Sequence, residues 1–125
     1  MTSARQRALD AIQVGDVIYG VSGDGNEKLL LVLEANEDGF LARHITSNTS
    51  AEFGRDGVTR PIPDAGSCTI VSTAALPADQ YKIALELDHK VQTKARDAGY
   101  NLTKAEIRLI LTYGDFFRAH PLPDK

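Results

Sequence analysis

The sequence predicts an α+β fold in which a small antiparallel β-barrel of five or six strands lies between a short N-terminal helix and a C-terminal helical hairpin. Three observations carry this expectation. Short apolar runs recur about every ten residues between turns rich in Gly, Asp and Asn, up to residue 73. From residue 77 onward the apolar spacing changes from the strand period to the helix period. Between them, the run KLLLVLE at 28–34 is apolar on both parities, so both faces of that strand need a cover. The barrel interior supplies one cover and the helical hairpin the other. At 125 residues the chain has the length of one domain. Within it, 1–13 form the N-terminal helix, 14–76 the barrel and 77–121 the hairpin packed on the barrel.

Each element follows from local signals. Residues 3–12 make a short helix, with Ser3 as N-cap and Ala8, Leu9 and Ile12 as its apolar face, and Gly15-Asp16 breaks it. Strand 16–21 (DVIYGV) leads through the turn SGDGN to strand 28–34, and ANEDG turns that into strand 40–46. Residues 51–59 hold GRDG, a tight turn between two short strands, and a loop with Pro61 and Pro63 precedes the last strand, 68–73. In the first helix of the hairpin, Tyr81, Ala84, Leu87, Val91, Ala95 and Ala98 form one stripe over roughly six turns. Pro77 suits its first position and Gly99 its left-handed cap, with Tyr100 folding back toward Ala95. The second helix opens with Thr103 and Glu106 in a capping box and Leu102 with Ile107 as a hydrophobic staple. Ile107, Ile110, Leu111 and Phe117 make its apolar face, widened by Leu109, Tyr113 and Phe116, and Pro121 ends it.

Composition narrows the functional classes. No apolar run approaches the roughly 20 residues that span a bilayer, so no membrane is expected. The segment MTSARQRALDAIQVGD lacks the continuous apolar core of a secretory signal, and a lone Cys68 cannot form an internal disulfide. A cytoplasmic location is the expectation. Net charge is −3, but residues 14–73 carry four basic against nine acidic side chains, a net of −5. Nucleic-acid binding needs a basic patch to displace counterions from phosphate. The strand-rich part has the wrong sign for it.

Few motifs carry chemistry. The glycines of GVSGDGNEK precede a strand, not a helix whose N-terminus would hold phosphate, so they read as a hairpin turn. His44, His89 and His120 share no metal-ligand spacing, and neither a metal nor a cofactor is expected. Cys68 opens a strand, where a free cysteine is ordinarily buried and inert. Lys82, Glu86 and Lys90 form an i,i+4 ladder, which places them, with Asp88 and His89, on a solvated helix face.

The stretch ARHITSNTS, 42–50, is the exception. Alternation sends Phe40, Ala42, His44 and Thr46 to one face and Leu41, Arg43 and Ile45 to the other, just before a cluster of hydroxyls and amides. Ser, Thr and Asn at a strand exit commonly bond their own backbone. A hydroxyl beside a basic side chain also suits contact with a ligand or a phosphodiester. Arg43, His44, Ser47, Asn48 and Thr49 are therefore the candidate binding residues.

The order GDVIY, KLLLVLE, FLARHITSNTS and CTIVSTAAL, over about residues 15–76, resembles the SH3-like barrels of the PemK/MazF toxin ribonucleases. The resemblance implies an SH3-like fold and RNA cleavage by an arginine opening the second strand and a threonine closing the third. By position these map to Lys28 and Thr46, the candidate catalytic pair. Lysine lacks the planar two-pronged grip of arginine on phosphate. With the acidic barrel, that departure favours the fold over the activity. The leading expectation is a non-catalytic module that binds a protein or a small ligand, with homodimerisation compatible. A PemK/MazF-type endoribonuclease is second, and a nucleic-acid-binding barrel third.

Overall fold

The computed structural model describes residues 3–45, 49–60, 67–95 and 102–123. In chain order the elements are α1 (Ala4–Asp10), β1 (Val17–Ser22), β2 (Glu27–Asn36), β3 (Gly39–His44), β4 (Thr49–Gly54), β5 (Cys68–Ser72), α2 (Ala78–Ala95) and α3 (Lys104–Ala119). The five strands form one antiparallel sheet in the order β4-β3-β2-β1-β5. The sheet curls, and the segment after β4 spans the gap between its two outer strands: Thr59 pairs with Phe53, and Val58 with Thr69. These isolated bridges are what forms where the sequence suggests a further strand within 51–59. Gly57 makes the turn possible. Its φ is +82°, and the position a Cβ would take lies 2.9 Å from the Leu9 Cδ2.

β2 is sandwiched as its two-faced apolar run requires. Leu30 and Val32 point into the curl of the sheet with Ile18, Phe40, Ala42, Phe53 and Ile70. Leu29 and Leu31 point the other way, against Tyr19, Ala84, Leu87, Val91, Tyr113 and Phe117. A register shift between Val32 and Glu34 then changes the parity of β2, setting Ala35 opposite Phe40 beside the interior core.

α1 begins as expected, with the Ser3 hydroxyl accepting the Gln6 N–H at 3.0 Å. Its Leu9 and the following Ile12 enter the interior core, and so does Leu122, whose N–H donates to the Val71 carbonyl at 2.8 Å. The Arg55 guanidinium donates to the carbonyls of Leu9 (2.9 Å) and Ile12 (3.0 Å), supplying donors where the helical ladder of α1 runs out.

α2 and α3 are antiparallel neighbours, joined by the Tyr113 hydroxyl donating to the Gln80 carbonyl (2.9 Å) and by a Lys90–Glu106 ion pair (3.0 Å). Pro77 stands just before α2 rather than in its first turn, and its carbonyl accepts the Tyr81 N–H at 2.9 Å. Of the predicted stripe, Ala84, Leu87 and Val91 are buried and Tyr81 half-buried. The Ala95 side chain, Ala98, Gly99 and Tyr100 lie outside the described residues. Among the described residues no helix is long and apolar enough to cross a membrane.

In α3 the capping box is present on both sides, Thr103 Oγ1 accepting from Glu106 N–H and Glu106 Oε1 from Thr103 N–H. Thr103→Ala should therefore lower stability by about 1 kcal/mol, read as a shifted denaturant midpoint at unchanged slope. The apolar face differs from expectation. Ile107 and Leu111 are 46% and 61% exposed, while Tyr113, Gly114 and Phe117 are buried. Gly114 explains the rotation: the Tyr19 hydroxyl lies 2.8 Å from where its Cβ would be, so only glycine lets the helix approach β1 here. Phe117 stacks on Tyr19, with ring centroids 5.2 Å apart. Leu102 packs on the helix-side core, whereas Ile107, its expected staple partner, is exposed.

Candidate functional site

β3 distributes its side chains as strand alternation dictates, and this separates the predicted binding residues. Arg43 leaves on the helix side. Its Nε and one terminal nitrogen donate to the two carboxylate oxygens of Asp88 in α2, at 3.0 and 2.7 Å. Asp88 also accepts from the Gln92 side-chain amide at 2.8 Å. This corrects the solvated-face reading of Asp88, which is buried: the charge ladder beside it occupies the neighbouring face of the helix. Arg43 is thus committed to joining the sheet to α2.

His44 leaves on the interior side, at the open end of the curled sheet. Thr49, the first residue of β4, pairs directly opposite it. Lys28, the second residue of β2, carries the same parity as Leu30 and Val32 and so rises from the interior column onto its rim. Thr46, Ser47 and Asn48 lie outside the described residues. The structure thus gathers Lys28, His44 and Thr49 and sends Arg43 away.

The three line one cavity of ≈ 220 Å³. Its floor is apolar, made by Leu30, Ala42, Ala51 and Phe53, and its rim adds Ser50, Glu52, Thr59 and Arg60. One Arg60 terminal nitrogen also donates to the Asp38 carbonyl at 3.0 Å. Cys68 closes the β5 side. It fits there because Gly20, across on β1, has no side chain: a Cβ would lie 2.9 Å from Cys68 Sγ and 3.3 Å from Leu30 Cδ1. Sequence reasoning missed Cys68, Thr59 and Arg60 as neighbours of Lys28. The first needs the β1–β5 pairing to place it, and the other two need the turn at Gly57.

The electrostatics of the cavity follow from burial. Removal from water, reinforced by the nearby Lys28 charge, pushes His44 down to about 4, so the imidazole is neutral at pH 7. Burial pushes the Cys68 thiol up, which Lys28 only partly opposes, so Cys68 is a protonated thiol near neutrality and a poor nucleophile. His44 has a stability consequence. Its ordinary value is 6.5, so between about pH 6.5 and 4 the unfolded chain binds a proton there that the folded chain does not. Stability from this residue is complete above the unfolded value and falls as pH drops through that window. Discounted for partial exposure, the loss is on the order of 1–3 kcal/mol. Stability–pH curves of wild type and His44→Gln should differ in that window, and the His44 Cε1–H titration should move upward in Lys28→Met. Superimposable curves would remove burial of a neutral imidazole as their cause.

Among the described residues no group of three or more His, Cys, Asp or Glu stands together as a metal site would require. No family model, curated protein or solved structure matches the chain.

Proposed function

We propose that the chain is a non-catalytic binding module on an SH3-like barrel, whose ligand enters the mouth occupied by Lys28, His44 and Thr49. The observation that carries this reading is the ≈ 220 Å³ cavity, where a half-buried cation and several polar groups surround an apolar floor. Apolar lining with a few convergent polar groups is the usual composition of a small-ligand site. The chemistry there suits holding better than reacting. A general base works best with a pKa near the operating pH, and His44 lies well below it. Arg43, a candidate phosphate contact, is engaged with Asp88 on the opposite face.

The second reading, a PemK/MazF-type endoribonuclease, is favoured only by the position of Lys28 at this mouth, where it would act with Thr46. One pair of experiments separates the two. Isopropanol and phenol, titrated as neutral probes, should shift the methyl resonances of Leu30, Ala42 and Ala51 together. Purified protein should leave mixed-sequence single-stranded RNA intact even at low salt, where electrostatic capture is strongest. Specific fragments that disappear in Lys28→Ala would replace the binding reading with the nuclease one. Unmoved methyl resonances would remove the cavity as a ligand site.

A further inference from the structure

Resting on that reading, we infer that the cavity takes a small ligand bearing a single carboxylate, seated on the Lys28 ammonium with its apolar body on Leu30, Ala42 and Phe53. The geometry points to one negative charge. Among the described residues, no ion pair uses Lys28, so its charge is not committed to a carboxylate there. Lys28 is half-buried at the head of the interior column, where an ammonium is less hydrated than on an open surface. The rim also carries Glu52, which opposes a doubly charged group such as phosphate more strongly than a monoanion.

Among the described residues that line the mouth none belongs to a helix, so no described helix turns its N-terminus toward a phosphate there. Arg60 reaches the rim, but one of its terminal nitrogens is already bonded to the Asp38 carbonyl. The floor sets the other half of the ligand. Leu30, Ala42 and Phe53 are all buried apolar residues. A volume of ≈ 220 Å³ falls below the roughly 300–1,000 Å³ of drug-sized sites, which suits a branched or aromatic group of amino-acid size. Such a carboxylate has two sources, a free acid or the C-terminal residue of a peptide.

The test titrates the intact protein, observed through the Lys28 Nζ and His44 Cε1–H resonances. The free acids are 3-methylbutanoate and benzoate, with their neutral amides as controls. The peptide Ala-Ala-Ala-Leu is used with a free and with an amidated C-terminus, and inorganic phosphate is the dianion. Both resonances should move with the acids, with Kd at or below about 10 mM, the scale open to so small a ligand. Acids should bind at least about tenfold more tightly than amides. Lys28→Met should abolish that preference, and Glu52→Gln should strengthen it, so the inference does not depend on one variant folding well. Tighter binding of the free-ended peptide than of the free acids would support a protein C-terminus as the source, and the reverse a metabolite. Amides binding as well as acids, or phosphate binding more tightly, would overturn the carboxylate while leaving the binding module in place. No response of either resonance to any probe, with the neutral probes also silent at the floor, would overturn both.

Discussion

Asp88→Ala is expected to lower stability by about 3–5 kcal/mol, the cost of stranding a largely covered guanidinium. The two side chains are 17% and 7% exposed, and their contact is two-pronged, so water does little to screen the loss. A surface pair would contribute about 0–1 kcal/mol. The discriminating comparison is the double variant Arg43→Met, Asp88→Leu, which removes both charges and keeps apolar volume. It should recover most of the stability lost in Asp88→Ala, because the penalty comes from an unpaired charge and not from a missing attraction. Urea unfolding of the three proteins measures this. A single-variant cost below about 1 kcal/mol would show that Arg43 escapes to solvent when its partner is gone.

Leu29→Ala and Leu30→Ala should each cost about 2–5 kcal/mol, since they are 2% and 3% exposed and sit in closely packed surroundings. They are adjacent in sequence yet belong to separate cores, Leu29 under the helices and Leu30 inside the curled sheet. Their effects should therefore add to within about 0.5 kcal/mol, as for sites that share no partners. Strong coupling in the double-mutant cycle would mean that the two cores yield together through the backbone of β2.

β2 was legible because its pattern broke a rule. A half-exposed strand alternates, and 28–34 does not, so a second cover had to exist, and the later helical period supplied it. The caps at Ser3 and Thr103 were legible for a similar reason: each is a local hydrogen bond written within four residues. Asp88 was not, because its partner lies 45 residues away on β3 and its neighbours Lys82, Glu86 and Lys90 spell an exposed face. The rotation of α3 was hidden too. Its apolar arc is wider than its contact, and Gly114, which settles the orientation, reads in sequence as a weak point in a helix. In the candidate site, alternation placed His44 on the face opposite Arg43. Pairing registers were needed to bring it beside Lys28 and Cys68.

The interior core is stoppered at one end by Leu9 and Ile12 from the beginning of the described chain and by Leu122 from its end, with Ala8 lining the same recess as residues 120–123. During synthesis the strands emerge long before Leu122 does. A nascent chain can pair β1 through β5 and still present an unstoppered base, a stretch of apolar surface open to other chains. Arrested chains that expose residues up to 120 beyond the ribosomal exit tunnel should thus be recognised by holdase chaperones more strongly than arrested chains that expose residues up to 123. The order in which a ribosome delivers the sequence, and not only the final arrangement of its side chains, then sets the interval during which this sheet is at risk of aggregation.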